Sequence, residues 1–346
     1  MSIDAGVAPV HGRPVGDVVV SGAGEGVALE GAPLRRVRAA LLVAYGVVYV
    51  VWVLNAGIIV DRISVLISVG VLLLVASIGR PARAWRVLAV DFVLYAAMWI
   101  AYDETRGAAD RLGMPLQVTS VRDADRFLLG GTDATVWLQA RFFSPDDVRW
   151  YDVVASLLYF SHFVVPVAAI AALWLRQRRQ WVRFMRRFAT LLAIACASFV
   201  LLPTAPPWMA GGGSASIPLD AIEPVERPAG RGLDALNLDV FVQAWETGRD
   251  WANPVAAMPS LHAAFALFVV AFWWPRIRRP VVRVAASTYP IAMGVSLVYL
   301  AEHWIVDILA GWVLVGVSFA AWHLIERRSS DRAVPTEPTG GATDAG

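Results

Sequence analysis

Three polar residues of this 346-residue chain have types and spacings suited to the transfer of a proton or a chemical group. His262 lies in the stretch Met-Pro-Ser-Leu-His, directly before an apolar run, and His303 and Asp307 are four residues apart. Residues four apart on a helix share a face, so the Asp307 carboxylate would hold the His303 ring in one tautomer and stabilise its charged form. A histidine oriented in this way is a competent nucleophile or base.

The residues before His262 have the pattern of a helix start. Pro259 suits the first helical position, where its missing N–H costs nothing, and the free N–H groups of the following residues would then point outward. Such a helix end favours an anion, especially phosphate. Ser260 suits either a contact with that phosphate or a cap of the helix.

The rest of the chain must hold these residues in a membrane. Hydrophobic residues make up 58% of the sequence and the mean hydropathy is +0.57, whereas soluble domains contain roughly 45–50% apolar residues. Apolar runs close to the roughly 20 residues that cross a bilayer recur along the chain. They predict an all-α polytopic membrane bundle of about eight transmembrane helices, at residues 39–60, 63–79, 87–102, 151–175, 188–203, 258–275, 284–301 and 303–325.

Charge predicts the orientation of these helices. All 30 basic residues are arginine, and the connections 80–86, 176–187 and 276–283 are Arg-rich and contain no acidic residue. The positive-inside rule assigns such connections to the cytoplasm. We therefore expect a multi-pass protein of the cell membrane with both termini in the cytoplasm and with His262 and His303 at the outer surface, one membrane hairpin apart. The net charge of +2 is a topology signal and gives no support for a nucleic-acid partner.

The same pattern divides the chain into segments. Residues 1–34 and 326–346 are predicted to be disordered cytoplasmic tails, 35–102 the N-terminal transmembrane helices, and 103–150 an outer loop. Residues 151–325 would form the membrane core, including a second outer loop at 204–257. Within that loop, residues 233–245 have apolar residues at helical spacing, which predicts an amphipathic helix on the outer surface.

Two of these motifs resemble a known family. Pro-Ser-Leu-His-Ala-Ala at 259–264 and His-x-x-x-Asp at 303–307, one membrane hairpin apart, resemble the second and third signature motifs of the type 2 phosphatidic acid phosphatase superfamily. Leu-Pro-Thr-Ala-Pro-Pro-Trp at 202–208, before a long outer loop, is more similar to the inositol phosphorylceramide synthase branch and its bacterial relatives. The resemblance covers about residues 150 to 325 and implies the six-helix type of lipid phosphatase core.

The resemblance also implies chemical roles. His303 would attack phosphorus to give a phosphohistidine, Asp307 would orient it, His262 would protonate the leaving group and Ser260 would contact phosphate oxygens. Water or an alcohol would then take the phosphoryl group. This mechanism needs no metal and no other cofactor, and it implies a phospholipid or a polyprenyl phosphate as substrate.

Two departures from the family pattern bear on the substrate. The family's Lys, six residues and Arg-Pro are missing, since the chain has no lysine, and Ser296 is followed by Leu297 where the family has arginine. A phosphodiester carries one negative charge and a monoester up to two, so fewer cations favour a diester donor and transfer of a headgroup such as inositol phosphate. Arginines of the outer loops are candidates to restore the charge, namely Arg141, Arg149, Arg227, Arg231 and Arg249.

Four further polar or aromatic residues have expected roles, and for His162 and Trp208 two interpretations stay open. His162, within its helix, either lines a substrate cavity or is a buried histidine bonded to a neighbouring helix. Trp208 either stacks on a headgroup or belongs to the interfacial aromatic belt. Asp91 lies near the cytoplasmic side and is expected to be structural. Glu302, next to His303, is expected to be exposed at the interface.

Three alternatives to headgroup transfer remain open. The first is hydrolysis of a polyprenyl phosphate or of phosphatidic acid, which differs only in what attacks the phosphohistidine. The second is a transporter or flippase for a lipid phosphate, which Asp91 and His162 alone would support. The third is a zinc site formed by His262, His303 and Asp307. The sequence leaves the acceptor and the oligomeric state open.

Overall fold

A computed structural model describes residues 32–59, 61–105, 108–213, 219–251 and 253–332. Within these residues the protein is all α-helical, apart from isolated bridges between extended residues, as predicted. The helices are α1 (Ala32–Ala56), α2 (Arg62–Ser77), α3 (Ala82–Glu104), α4 (Ala108–Arg111), α5 (Thr119–Leu128), α6 (Ala134–Phe142), α7 (Trp150–Arg176), α8 (Arg178–Leu201), α9 (Pro207–Ala210), α10 (Arg231–Asp234), α11 (Asp239–Trp251), α12 (Leu261–Trp273), α13 (Pro280–Tyr299) and α14 (Ile305–Arg332).

Within the described residues, six helices are long and apolar enough to cross a membrane, which makes the chain a multi-pass membrane protein. These six spans are Pro33–Ala56, Ala82–Tyr102, Trp150–Arg176, Arg178–Leu201, Pro280–Tyr299 and Ile305–Arg328. The other two predicted spans exist as shorter apolar segments, Ile63–Ser77 and Leu261–Arg276. All eight predicted apolar segments are therefore helical, but only six of these helices have the full length of a membrane span.

The bundle is built around α12, which packs against α7, α13 and α14, while α14 also packs on α8. Aromatic rings fill the space between α8 and α12, where the rings of Phe184 and Phe268 are in edge contact. Helix α14 approaches the start of α12 closely. A Cβ added at Gly311 would collide with the carbonyl oxygen of Ser260, so only glycine permits this contact.

The helix directions bring the predicted motifs to one end of the bundle. Helices α3, α8 and α13 end there, and α7, α12 and α14 begin there. The Arg-rich connections between α7 and α8 and between α12 and α13 lie at the opposite end. This end also holds Asp91, which accepts hydrogen bonds from both terminal nitrogens of Arg178 and from the Trp174 indole.

Both predicted outer loops contain helices of their own. Residues 103–150 include α4, α5 and α6, and residues 204–257 include α9, α10 and α11. Thr204 forms isolated bridges with Gln117 and with Ala256, so the two segments are joined by backbone hydrogen bonds. The amphipathic helix predicted at 233–245 is only partly correct, because the chain turns between α10 and α11 and the longer helix begins at Asp239.

The predicted tails fall mostly outside the described residues, which exclude 1–31 and 333–346. Where the tails are described they are helical, because α1 begins at Ala32 and α14 continues to Arg332. The boundaries predicted at 34 and 326 therefore lie inside helices.

Candidate active site

The link between α13 and α14 places His303. Helix α13 ends in a Schellman-type turn, in which Ala301 has a φ of 60° and the Glu302 N–H donates to the Leu297 carbonyl at 3.0 Å. This turn reverses the chain, so that His303 and Trp304 precede α14. The expectation that His303 and Asp307 lie on one helix is therefore wrong in detail, because His303 comes two residues before the helix.

The predicted contact between His303 and Asp307 is nevertheless present. Asp307 is the third residue of α14, and its Oδ2 lies 3.4 Å from His303 Nδ1 and accepts the Trp304 N–H at 2.9 Å. Asp307 is fully buried and His303 is 6% exposed. A buried carboxylate in this position holds the ring so that Nε2 faces the other way.

His262 lies at the start of α12, where Ser260 is the N-cap. The Ser260 hydroxyl accepts the Ala263 N–H at 3.3 Å, and the Ser260 N–H donates to the Asp307 carbonyl at 2.9 Å. The helix thus begins at Leu261, and the prediction that Pro259 occupies the first helical position is wrong. Ser260 is fully buried and its hydroxyl caps the helix.

The two histidines face each other. His262 Nδ1 lies 3.4 Å from His303 Nε2, and the ring centroids are 5.5 Å apart. On its other faces the His262 ring packs against His162, with centroids 4.0 Å apart, and against Tyr159, at 4.7 Å. His262 Nε2 is buried and has no hydrogen-bond partner within the described part of the chain.

Both histidines line a cavity of about 520 Å³. A volume of this size is typical of a small-molecule site. Its walls come from helices α3, α7, α8 and α12, from the segment 204–257, which includes α11, and from the link between α13 and α14. The lining residues are Tyr102, Tyr159, His162, Phe199, Pro206, Trp208, Arg227, Glu246, Asn253, Pro254, Ala256, Ala257, Leu261, His262, Glu302 and His303.

With this geometry in place, comparison with known proteins identifies the family. Residues 122–321 match the model of the PAP2 superfamily. The chain belongs to the PAP2 superfamily. The prediction of an enzyme of this superfamily, made from the motifs around His262 and His303, is confirmed.

A curated PAP2 relative is the phosphoinositol dihydroceramide synthase of Bacteroides thetaiotaomicron, which is 28% identical over 260 residues, covering 72% of this chain and 81% of the relative. No solved structure matches the chain significantly. The PAP2 match begins at residue 122, earlier than the predicted start near 150, and so takes in most of α5 and all of α6.

One of the five candidate arginines lines the cavity of this PAP2 enzyme. Arg227 forms a two-pronged ion pair with Glu302, with Nε–Oε1 2.7 Å and Nη2–Oε2 2.9 Å, and its guanidinium carbon lies 4.4 Å from the ring centre of Trp208. Burial alone would lower the pKa of Arg227, but the Glu302 carboxylate more than offsets burial and the pKa is raised. Arg227 therefore stays charged.

Glu302 contradicts its prediction. The side chain was expected at the exposed interface, but it is 7% exposed and faces the cavity. The cause is the turn at Ala301, which the sequence alone does not predict because a left-handed backbone favours glycine. The backbone N–H of Trp208 donates to the Ala301 carbonyl at 3.0 Å. The turn at Ala301 thus positions both Trp208 and the ion pair that Glu302 forms with Arg227.

Three of the other candidate arginines have contacts elsewhere. Arg141 is exposed and lies over the Trp137 ring, and Arg149 is exposed and pairs with Asp147. Arg231 donates to the Pro145 carbonyl. Arg249 belongs to α11, and its side chain lies outside the described part of the structure.

Several cavity residues were not predicted. Tyr159 packs on His262 from α7, and Tyr102 comes from α3, so one of the three N-terminal helices contributes to the cavity. Glu246 and Asn253 come from the second outer segment, and the Asn253 amide nitrogen is buried with no partner among the described residues. Position at the outer end of an apolar run was the one available signal for Tyr102. The described residues contain no group of three or more His, Cys, Asp or Glu side chains arranged to hold a metal ion.

Proposed function

We propose that this PAP2 enzyme transfers a phosphorylated headgroup from a phosphodiester lipid to an alcohol, through a phosphohistidine at His303. The observation that carries the proposal is the facing pair of His303 Nε2 and His262 Nδ1 at 3.4 Å on a cavity wall, with Asp307 buried behind His303. This arrangement supplies a nucleophile, an orienting carboxylate and an acid–base partner.

The first half of the reaction forms the phosphohistidine. His303 Nε2 attacks phosphorus, the bond from phosphorus to the oxygen of the departing alcohol breaks, and that oxygen takes a proton from His262. Asp307 stabilises the positive charge that develops on the His303 ring. In the second half, the hydroxyl of the acceptor attacks phosphorus, its proton passes to His262, and the bond from phosphorus to His303 breaks.

The charges of the cavity favour a diester. Among its described lining residues, Arg227 is the one arginine, and Glu302 already neutralises it, while Glu246 adds a further negative charge. The second negative charge of a phosphate monoester would meet these carboxylates with no further cation among the described lining residues to balance it. The name of the Bacteroides relative, a phosphoinositol dihydroceramide synthase, is consistent with a phosphodiester headgroup.

The orientation in the membrane forms part of the proposal. The Arg-rich connections between α7 and α8 and between α12 and α13 lie at the end of the bundle opposite the cavity. The positive-inside rule then assigns the cavity to the outer face and the Arg-rich end to the cytoplasm.

The experiment compares two donors with the same acyl chains in nanodiscs that contain the purified protein and a lipid alcohol. One is a phosphodiester lipid labelled at the headgroup phosphate, and the other is the corresponding labelled phosphatidic acid. We expect label to move from the diester to the lipid alcohol, with little free phosphate, and His303→Ala to abolish the transfer. A strong preference for phosphatidic acid with release of inorganic phosphate would contradict headgroup transfer and support a phosphatase.

A further inference from the structure

Asp125 lies on α5, in the first outer segment, and reaches the start of the helix that carries Asp307. Its Oδ1 accepts the Val306 N–H at 2.9 Å, although the two residues are 181 positions apart. Asp125 is 1% exposed, and its Oδ2 is buried with no partner among the residues that the structure describes. This buried hydrogen bond therefore joins two segments that are far apart in sequence, α5 and the first turn of α14.

Helix α14 needs this contact because it lacks a cap of its own. The first N–H groups of any helix have no partner within it, and they are usually satisfied by Ser, Thr, Asp or Asn at the N-cap. Here the residue before α14 is Trp304, whose indole is a donor only and donates to the Ala205 carbonyl at 2.8 Å. The carboxyl of Asp125 takes the place of the missing local cap.

The same first turn holds the catalytic pair. Asp307 Oδ2 accepts the Trp304 N–H, which is one half of a capping box, and also contacts His303 Nδ1. If the turn frays, the Asp307 carboxylate leaves its place and the His303 ring loses the group that orients it. The cap at Val306 and the orientation of His303 are therefore linked through one turn of helix.

Helix α5 is itself fixed in place, so the cap is rigid. Val121 is buried in a cluster with Trp304 and Ile222, and Arg122 donates to the Ala221 carbonyl at 2.9 Å. Residues of the second outer segment thus hold α5 against the start of α14. The position of the Asp125 carboxyl is therefore set by the packing of the whole helix α5.

We infer that Asp125 is a positioning residue for the phosphoryl-transfer step, because it caps α14 in place of a local residue and thereby holds Asp307 against His303. The inference rests on the proposed phosphohistidine chemistry. Asp125 is not among the residues that line the cavity, and its hydrogen bond is to the Val306 N–H, so it acts through the helix. The contact requires a hydrogen-bond acceptor at Oδ1, which an asparagine also supplies.

The test measures the single-turnover rate of His303 phosphorylation in nanodiscs, together with lipid binding and thermal unfolding. Asp125→Ala is expected to lower the rate at least tenfold while the dissociation constant of the lipid changes less than twofold. Asp125→Asn is expected to stay within threefold of wild type. Asp123→Ala is the matched control, since Asp123 lies on the same helix with a side chain that is 61% exposed, and it should leave the rate unchanged.

The outcomes separate the inference from the proposed function. A folded Asp125→Ala protein that phosphorylates His303 at the wild-type rate overturns the inference alone. Absence of phosphohistidine in the wild type overturns the proposed function. If Asp125→Ala does not fold, Val306→Pro removes the donor of the same hydrogen bond at a position where the first turn tolerates proline. This variant should lose at least tenfold in rate, and an unchanged rate would contradict the inference.

Discussion

Arg227 and Glu302 form a two-pronged ion pair on the wall of the cavity. Glu302 directly precedes His303 in the chain. The arginine that is available to a phosphate group is therefore already shared with a carboxylate. A substrate phosphate that approaches the guanidinium also approaches the Glu302 carboxylate, and the repulsion between this carboxylate and a second phosphate charge favours substrates that bring only one negative charge.

Replacing Glu302 with glutamine should relax the selectivity for charge. Glu302→Gln removes one negative charge beside Arg227, so we expect the ratio of monoester to diester turnover to rise about tenfold, equivalent to about 1.4 kcal/mol. Steady-state rates with labelled phosphatidic acid and labelled diester measure this ratio. Glu326→Gln is the matched control, because Glu326 pairs with Arg187 at the other end of α14. An unchanged ratio in Glu302→Gln would mean that this carboxylate does not select the donor.

Two glycines of α14 should respond differently to alanine. A Cβ at Gly311 would collide with the Ser260 carbonyl, whereas a Cβ at Gly316 has nothing within 4 Å. Gly311→Ala should displace α12 from α14, destabilise the protein by about 1–3 kcal/mol as overpacking does, and lower activity at least tenfold. Gly316→Ala should be neutral or stabilise by up to about 1 kcal/mol, the difference in helix propensity. Thermal unfolding and turnover of both variants check this, and equal behaviour would contradict the close packing.

The stability of the outer segment should depend on pH through Asp125. Burial, with smaller contributions from the charges of Asp307 and Asp133, raises the pKa of Asp125 to about 6, although the hydrogen bonds from the Val306 and Ile305 N–H groups oppose the change. The folded protein then binds more protons than the unfolded one between pH 4 and pH 6, so the free energy of unfolding falls as the pH rises through this range.

Asp125→Asn removes this titration. Its melting temperature relative to wild type should therefore increase between pH 5 and pH 8, by the equivalent of about 1–2 kcal/mol at about 1.4 kcal/mol for each pKa unit. Thermal unfolding of both proteins at the two pH values measures the difference. Asp123→Asn serves as the control. A difference between Asp125→Asn and wild type that is constant with pH would contradict a raised pKa at Asp125.

The sequence predicted those parts of the site that depend on local spacing. Asp307 lies four residues after His303, and one hairpin separates both from His262, so their meeting followed from short sequence spacing and an even number of membrane crossings, although His303 itself precedes α14. The apolar runs predicted the helices for the same reason, because hydrophobic length is a local property.

The parts that were missed depend on turns and distant contacts. Glu302 faces the cavity because Ala301 adopts a left-handed backbone, and alanine gives no signal of that conformation. Asp125 caps a helix 181 positions away, which no local pattern indicates. The start of α12 was misplaced because both Pro259 and Ser260 suit helix starts, and the serine is the cap.

The most direct test of the account is to trap the reaction intermediate. A donor diester labelled at phosphorus is mixed with wild type, His303→Ala and Asp123→Asn, and the protein is quenched during the first turnover and digested. The account predicts label on the peptide that contains His303, stable to base and lost in acid, in wild type and Asp123→Asn but absent from His303→Ala. Product formed by the wild type without labelled protein, or label retained by His303→Ala, would contradict His303 as the nucleophile.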